Sequence, residues 1–125
     1  MTSSKTGKTG ENAVCEYLEK QGYTIAVRNY RIKGGEIDII AVNSYFTAFV
    51  EVKSRRPDCL VTGFEAVDER KKRLIVKTAS DYCMKYPSDL QPRFDIAQVT
   101  VENGRVLGIE YIENAYDTTG FNFIF

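Results

Sequence analysis

The 125-residue sequence contains no histidine. This absence excludes imidazole metal ligands, serine–histidine and cysteine–histidine nucleophile pairs, and imidazole general bases. Any hydrolytic chemistry must therefore use carboxylates, lysine, tyrosine or water activated by a metal ion.

Cysteine is scarce as well. The three are Cys15, Cys59 and Cys83, and no Cys-x-x-Cys occurs. An odd number without that spacing argues against a disulfide framework and against a zinc ribbon, and favours a reducing compartment. The first ten residues lack the apolar core of a signal peptide, and no apolar run approaches the ~18 residues of a membrane span. The sequence therefore predicts a cytoplasmic protein without a membrane partner.

Net charge is also absent, because 17 Lys and Arg residues balance 17 Asp and Glu residues. No global attraction to nucleic acid follows, so any nucleic-acid-binding surface must be local. The length and the composition, 43% hydrophobic and 27% charged, predict one folded domain over residues 1–125. We expect residues 1–8, which are mostly small and polar, to be mobile.

Two neighbouring stretches carry charge where buried strands are usually apolar. Residues 37–42 form an apolar run whose only charged member is Asp38, and residues 46–52 form another whose only charged member is Glu51. Both runs are rich in β-branched and aromatic residues, which indicates strands. Asn43-Ser44 between them indicates a turn, so a hairpin is the simplest connection.

The length of that turn determines where the charges lie. Side chains alternate between the faces of a strand, so Glu51 and Lys53 share one face. A two-residue loop places Asp38 diagonal to Glu51, and a four-residue loop places the two carboxylates opposite each other. Either loop brings Asp38, Glu51 and Lys53 onto one face, whereas a three-residue loop without a bulge would put Asp38 on the other.

Two carboxylates this close in apolar surroundings repel each other, and ionising both is costly. A divalent cation relieves that cost, and Lys53 relieves part of it. Because the ligands are oxygen atoms, the pair suits Mg²⁺ or Mn²⁺. The structural alternative is a buried ion triad in which Lys53 pairs with Asp38 and Glu51, although such triads stabilise a fold less than apolar packing does.

A helix is predicted on each side of these strands. The first spans about Thr9–Gln21 and ends at Gly22, and the second spans Phe64–Tyr86. Glu11 lies on or beside the apolar face of the first helix. It is either a first-turn carboxylate favoured by the helix dipole, which spacing alone favours, or a third acidic group directed at the carboxylate pair.

Three further strands complete the predicted fold. Residues 23–29 alternate in polarity, and residues 93–101 and 105–112 flank Asn103-Gly104, which is a strong hairpin signal. Asp95 interrupts one of these strands and is expected to be a strand-end or salt-bridged carboxylate. The order of helix, three-stranded meander, long helix and hairpin predicts an α/β fold with a central mixed sheet flanked by helices.

Basic residues flank the acidic pair in three segments: before Gly34-Gly35, directly after Lys53, and in the second helix. The glycines permit a tight turn or the close approach of a ligand backbone. The basic run of the helix is typical of a solvated face, but one of its lysines lies one turn from both Val67 and Leu74 and so near the buried face. The candidate nucleic-acid-binding residues are Arg28, Arg31, Lys33, Arg55, Arg56 and Lys71.

Several short motifs follow one another in a fixed order: Gly10-Glu11, Tyr17-Leu18, Arg28-Asn29, Gly35-Glu36-Ile37-Asp38-Ile39-Ile40-Ala41, Phe49-Val50-Glu51-Val52-Lys53-Ser54-Arg55, Lys71 and Arg93-Phe94-Asp95. Through this series, from Gly7 to about Gln98, the chain resembles the PD-(D/E)xK nuclease superfamily. More narrowly it resembles the YraN-like family, which is related to Holliday-junction resolvases and other restriction-endonuclease-like folds.

The resemblance implies a restriction-endonuclease-like fold and a divalent-metal nuclease site. In that site Asp38 and Glu51 hold Mg²⁺ or Mn²⁺ with the carbonyl of Val52, and Glu11 reaches the metal through water or binds a second ion. Lys53 orients or deprotonates the attacking water and stabilises charge on the phosphate. Because two carboxylates neighbour Lys53, we expect it to keep its proton and to act by orientation and electrostatics.

The partner that the resemblance implies is DNA, with branched or otherwise structured DNA as the preferred class. A resolvase-like activity favours a homodimer, because a junction presents two symmetric strands. The alternative function is a nucleic-acid-binding module of the same fold that does not cleave, with basic residues around an acidic cluster that binds no metal.

Overall fold

The computed structural model describes residues 2–58, 69–121, 123 and 125. Within them lie two helices and five strands, in the order α1 (Thr2–Lys20), β1 (Thr24–Ile32), β2 (Gly35–Val42), β3 (Phe46–Arg55), α2 (Glu69–Lys85), β4 (Gln91–Glu102) and β5 (Arg105–Tyr116). Neither described helix has both the length and the apolar character that crossing a membrane requires.

The strands form one mixed sheet in the order β1-β2-β3-β4-β5. The pairs β1–β2, β2–β3 and β4–β5 are antiparallel, while β3 and β4 are parallel. A parallel pair needs a long crossover connection, and α2 lies within it. The predicted α/β fold, with a central mixed sheet of the restriction-endonuclease-like kind, is confirmed, and the strand that carries Glu51 and Lys53 is its central strand.

The two helices cover opposite faces of the sheet, each against its own apolar cluster. On the α1 face Val14 and Leu18 pack against inward residues of the central strands, including Ile39, Val50 and Val99. On the α2 face the packed residues include Ile40, Phe49, Ile75, Ala79 and Phe94. Because the central strands are buried on both faces, their sequences are nearly continuous apolar runs.

Helix α1 differs from its prediction at one end and agrees at the other. It begins at Thr2 rather than near Thr9, because no proline in this polar segment interrupts backbone hydrogen bonding. It ends as predicted before Gly22, whose φ is +94°, and Tyr23 N donates to Leu18 O at 3.0 Å. This is the left-handed cap that glycine adopts without steric cost. The predicted beginning of the second helix lies outside the described residues.

The β2–β3 hairpin uses the four-residue connection. Val42 pairs with Thr47, and the pairing continues inward to Ile39 and Val50. The side-chain oxygen of Asn43 accepts hydrogen bonds from the backbone N–H groups of residues 45 and 46, at 2.8 and 2.7 Å. Asparagine thus closes the turn with its own side chain, as its turn preference predicts.

Candidate metal and nucleic-acid site

The positions of Asp38 and Glu51 follow directly from the hairpin register. The backbone pairing of the hairpin ends at Ile39 with Val50, and the next residues along the two strands are the two carboxylates. Asp38 accepts a hydrogen bond at Oδ2 from the N–H of Val52, at 2.8 Å. Asp38, Glu51 and Lys53 all line one cavity of about 550 Å³ on the α2 face. The predicted grouping of these three side chains is therefore what the hairpin produces.

Two lysines contact the same oxygen of Glu51. Lys53 Nζ lies 3.3 Å from Glu51 Oε1, and Lys71 Nζ, which comes from α2, lies 2.5 Å from it. The Glu51 side chain is only 9% exposed, so this charge is compensated mainly by protein groups rather than by water. The resting site is thus a carboxylate pair with two ammonium groups.

The environment of Asp38 favours its neutral form. Burial is the main cause and the charge of Glu51 is the next, and together they raise the pKa of Asp38 to about 7. The hydrogen bond from Val52 opposes this shift, because it stabilises the ionised carboxylate. A cation placed between the two carboxylates would offset the same repulsion.

The pKa values of Lys53 and Lys71 shift in opposite directions. Burial, followed by the contact with Lys71, lowers the pKa of Lys53 in spite of Glu51. Burial alone would lower the pKa of Lys71, but its hydrogen bonds to Glu51 and Lys53 outweigh burial and raise that pKa. For Lys53, burial and the neighbouring Lys71 outweigh the attraction of Glu51. The expectation that Lys53 keeps its proton stays a prediction.

Glu11 lies in a neighbouring cavity of about 400 Å³, which Arg28, Asn29 and Arg31 also line. Its Oε1 accepts hydrogen bonds from Arg28 Nε at 2.9 Å and Asn29 Nδ2 at 3.1 Å. The charge of Glu11 still contributes to the raised pKa of Asp38, as the smallest of the causes. The structure thus holds Glu11 beside the carboxylate pair rather than within its cavity, and its role as a metal ligand stays a prediction.

The six candidate nucleic-acid-binding residues do not lie together. Arg31 lines both cavities and pairs with Glu36, Lys71 lines the carboxylate cavity, and Arg28 lines the neighbouring one. The other three, Lys33, Arg55 and Arg56, are not among the residues that line these two cavities, and Arg55 lies 4.0 Å from the carboxylate of Glu110 on β5.

The donor set fits a hard divalent cation. In the segments that the structure describes, no group of three or more His, Cys, Asp and Glu side chains is arranged to hold a metal ion. Mg²⁺, however, is usually held by one or two carboxylates, with water and substrate phosphate oxygens in its remaining positions. Asp38 and Glu51 provide those two carboxylates, so the site fits Mg²⁺ or Mn²⁺ best when a phosphate is also bound.

Two features of the site were missed by sequence reasoning. The ion pair between Lys71 and Glu51 joins two elements that are distant in the sequence, and the only signal was the position of Lys71 near the buried face of its helix. Glu36, which lines the carboxylate cavity, stands two residues before Asp38 and so was within the motif without being assigned a role. Its ion pair with Arg31 spans the β1–β2 turn.

Together these features define a small α/β protein whose central strand carries a site of two carboxylates and two lysines. The chain belongs to the YraN-like family described as "Uncharacterised protein family UPF0102", whose sequence model matches residues 10–99.

Relatives of similar length confirm the membership. A UPF0102 protein of Alkaliphilus metalliredigens is 42% identical over 115 residues, covering 91% of this chain and 99% of the relative. One of Clostridium acetobutylicum is 42% identical over 116 residues, covering 91% and 95%. One of Dictyoglomus thermophilum is 38% identical over 118 residues, covering 93% and 100%. The family relationship therefore extends over nearly the whole chain.

Proposed function

We propose that this protein is a metal-dependent nuclease that hydrolyses phosphodiester bonds in DNA, with branched or otherwise structured DNA as its substrate class. The observation that carries the proposal is the pair of carboxylates, Asp38 and Glu51, in a cavity that Lys53 and Lys71 also line. Carboxylates suit a divalent cation, and ammonium groups suit a phosphodiester.

Asp38 and Glu51 would hold Mg²⁺ or Mn²⁺. When bound, the cation supplies charge that lowers the pKa of water and offsets the negative charge that grows on the phosphate. Two carboxylates leave room for substrate oxygens, which agrees with a cation that binds most tightly together with DNA. Glu11 and the Val52 carbonyl remain further candidate ligands in this proposal.

The lysines would act on the phosphate and on the attacking water. Lys53 belongs to the central strand and lines the carboxylate cavity, so its ammonium group would lie near a phosphate bound there. Its lowered pKa makes proton exchange with water easier than for an ordinary lysine. Lys71 shares Glu51 with it, and either ammonium group can donate a hydrogen bond to a phosphate oxygen once a cation neutralises Glu51.

The basic side chains beside the cavity favour a nucleic acid over a small phosphate ester. Arg31 lines the carboxylate cavity and also the cavity that contains Arg28 and Lys8. A nucleic-acid backbone that crosses both cavities would pass these three cationic side chains, which compensates locally for the absence of net charge.

A second candidate function is a nucleic-acid-binding module that does not cleave. The close contact of Lys71 with Glu51, at 2.5 Å, favours it, because a carboxylate already paired with ammonium groups needs a cation less. The two functions share the DNA surface and differ in whether metal binds at Asp38 and Glu51.

The test combines calorimetry with cleavage. Mn²⁺ and Mg²⁺ are titrated into the wild type, into Asp38→Asn, and into Glu102→Gln, a control at an exposed carboxylate at the end of β4. The same three proteins are incubated with a four-way junction, a flap and a plain duplex. We expect binding and cleavage in the wild type and in Glu102→Gln, and loss of both in Asp38→Asn.

The outcomes separate the candidates. DNA binding that needs no metal and is insensitive to Asp38→Asn supports the binding module, whereas metal binding without cleavage of any of the three substrates contradicts the proposed substrate class. A wild type that binds no metal, with or without DNA, contradicts the nuclease proposal. Equal cleavage by wild type and Asp38→Asn also contradicts it, because the activity then does not arise at this site.

A further inference from the structure

A second cavity of about 550 Å³ lies on the α2 face of the sheet, at the other end of α2 from the carboxylate pair. The carboxylate cavity is lined by residues of the first half of this helix, such as Lys71, whereas the second cavity is lined by Tyr82 and Tyr86 near its end. Ligand cavities of proteins usually measure about 300–1,000 Å³, so the second cavity has room for a small organic molecule.

Aromatic rings form much of its lining. Tyr82 and Tyr86 have ring centroids 4.9 Å apart, and Phe94 and Tyr116, from β4 and β5, have centroids 5.5 Å apart with planes 22° from parallel. Phe125 meets Phe94 edge to face at 6.0 Å. Tyr86 is 56% exposed, more than the other described rings of the cavity. It is therefore the ring most accessible to a flat aromatic ligand, which stacks well on such side chains.

The cavity carries little charge. Among the described residues that line it there is no lysine or arginine, and Asp117 is the one charged residue. The carboxylate of Asp117 accepts a hydrogen bond from the N–H of Thr119 at 2.9 Å. A phosphate or carboxylate ligand would meet no cation here, so the lining favours an uncharged ligand.

Uncharged polar groups supply the hydrogen bonding. Thr47 lines the cavity from β3 and is 5% exposed, and its hydroxyl has no hydrogen-bond partner among the described residues. Alternation along β3 places Thr47 on the face of Phe49, which packs against α2. The side-chain amides of Gln91 and Asn114 line the same cavity. A buried polar group without a partner is unusual, and a ligand with polar edges would satisfy it.

We propose that this cavity binds an unpaired nucleobase. A nucleobase is flat and uncharged at neutral pH, with hydrogen-bond donors and acceptors along its edge. Its ring would stack on Tyr86, while its edge would meet the Thr47 hydroxyl and the amides of Gln91 and Asn114. An organic cation would use the rings and Asp117 but would leave the hydroxyl and the amides unused, so the lining favours the base.

The position of the cavity links it to the candidate site. Thr47 and Glu51 lie on the same face of β3, four residues apart, or about 13 Å at about 3.3 Å per residue. Burial raises the pKa of Tyr116, and the charge of Glu51 adds to this rise, which agrees with their proximity. A short run of unpaired nucleotides would therefore reach from the carboxylate pair to the cavity.

Base binding would give the proposed nuclease a preference for structured DNA. A base that is already unpaired enters a cavity freely, whereas a base in a plain duplex must first leave its pair and its stack. Flaps offer unpaired bases and plain duplexes do not. This preference rests on the proposed function, but the binding of a base does not.

NMR titration of the metal-free protein tests the cavity, with deoxyadenosine and thymidine as the probes. We expect both to bind the wild type and Asp38→Asn equally. Tyr86→Ala should weaken binding about tenfold through lost stacking, and Thr47→Val about fivefold through a lost hydrogen bond. Tyr45→Ala is the matched control, because Tyr45 is 73% exposed and lies outside the cavity lining. The amide spectra also show whether each variant is folded.

The outcomes decide the identity of the ligand. A wild type that binds neither deoxynucleoside overturns the proposal. So does binding that Tyr86→Ala or Thr47→Val leaves unchanged, or that Tyr45→Ala weakens as much as they do. Binding of tetramethylammonium in place of the deoxynucleosides also overturns it and assigns the cavity to an organic cation.

A flap whose single-stranded arm lacks its bases extends the test to DNA. With a chelator present, the wild type should bind this abasic flap about tenfold more weakly than the intact flap, and Tyr86→Ala should bind both alike. Equal binding of the two flaps by the wild type contradicts base recognition in DNA. Deoxynucleoside binding without any flap binding contradicts the proposed substrate class and leaves the base cavity standing, so the two proposals fail separately.

Discussion

Lys71 Nζ lies 2.5 Å from Glu51 Oε1, closer than the lysine of the strand itself, whose Nζ lies 3.3 Å from the same oxygen. The carboxylate of Glu51 is therefore contacted by an ammonium group of β3 and by one of α2. Because α2 packs on β2 as well as covering the site, the position of the helix and the electrostatics of the carboxylate pair are linked. A cation that enters the site competes with Lys71 for Glu51.

Replacement of Lys71 by methionine should therefore tighten metal binding. Methionine keeps the apolar stem that packs beside the sheet but removes the competing charge. We expect the affinity of Mn²⁺, measured by calorimetry at pH 8, to rise about fivefold, since partly exposed ion pairs contribute up to about 1 kcal/mol. Lys77→Met, on the exposed face of the same helix, is the control. Unchanged or weaker affinity in Lys71→Met would show that the lysine does not compete with the metal.

The raised pKa of Asp38 predicts a pH-dependent stability in the absence of metal. Its pKa is about 7 in the folded protein and 3.8 as its ordinary value, so the folded state holds this proton more tightly. The resulting stabilisation is complete below about pH 4 and is lost as the pH rises through 7. An asparagine at this position has no such proton to lose. Asp38→Asn should therefore gain about 2 kcal/mol in unfolding free energy over the wild type between pH 5 and pH 8.

Urea unfolding at the two pH values, with a chelator present, measures this difference. Glu102→Gln, at an exposed carboxylate, should show no comparable change. Addition of Mn²⁺ at pH 8 should stabilise the wild type and leave Asp38→Asn unaffected, because the cation binds the native carboxylates. If the advantage of Asp38→Asn does not grow with pH, burial and the charge of Glu51 do not raise the pKa of Asp38 as the structure indicates.

The hairpin that carries the site could be predicted from sequence because its information is local. Alternation along two apolar runs placed Asp38 and Glu51 on one face, and a turn asparagine limited the loop. The partners of Glu11 and Glu51 could not be predicted in the same way. Arg28 and Asn29 hold Glu11 across the α1–β1 packing, and a lysine of α2 reaches Glu51 from another element, so both contacts depend on how helices pack on the sheet.

The two neighbouring glycines, Gly34 and Gly35, also differ in whether their role depends on local sequence or on packing. Sequence left open whether Gly34-Gly35 forms a tight turn or permits the close approach of a ligand backbone, and it did not foresee the close approach of a helix. Gly34 makes the turn, with a φ of +85°. Gly35 admits the neighbour, which is helix α2: a Cβ there would lie 2.1 Å from Thr78 Oγ1 and 3.2 Å from the carbonyl oxygen of Leu74. The first role is a local property, and the second exists only in the packed fold.

Gly35→Ala should therefore displace α2 and weaken the contact between Lys71 and Glu51. We expect a loss of about 2–3 kcal/mol in unfolding free energy, in the range of overpacking. Adding Thr78→Ala to Gly35→Ala should restore only part of the lost unfolding free energy, because the Leu74 carbonyl belongs to the backbone and cannot rotate away. Thermal and urea unfolding of the two variants measure this. Complete recovery in the double variant would show that the helix is not held this closely.

A second close approach, between Gly10 and Ser54, should behave differently. A Cβ on Gly10 would lie 2.2 Å from Ser54 Oγ but 3.5 Å from Ser54 Cβ. Ser54 Oγ is buried and has no hydrogen-bond partner among the described residues, so removing it costs no hydrogen bond. We expect Gly10→Ala to lose about 1–2 kcal/mol, Ser54→Ala to be neutral or stabilising, and the double variant to recover fully, measured by urea unfolding. A double variant as unstable as Gly10→Ala would contradict this packing.

Asp95 provides the sharpest stability test outside the site. It is fully buried and accepts hydrogen bonds from Arg93 Nε and Nη2 at 2.9 and 2.8 Å, from the Tyr111 hydroxyl at 2.6 Å, and from Asn114 N at 2.9 Å. The expectation of a salt-bridged carboxylate is thus confirmed. Because Asp95→Ala leaves the buried guanidinium of Arg93 with only the exposed carboxylate of Glu113, 3.8 Å away, as an ionic partner, it should cost about 3–5 kcal/mol.

The matched variant is Arg93→Met with Asp95→Leu, which replaces both charges of this pair by apolar groups. It should lose much less than Asp95→Ala, because no unpaired charge stays buried and the ion pair itself adds little beyond apolar packing. Urea unfolding of the two variants and of Arg93→Met alone completes the comparison. If the double replacement costs as much as Asp95→Ala, the hydrogen bonds of Asp95 to Tyr111 and Asn114, rather than its pairing with Arg93, hold β4 and β5 together.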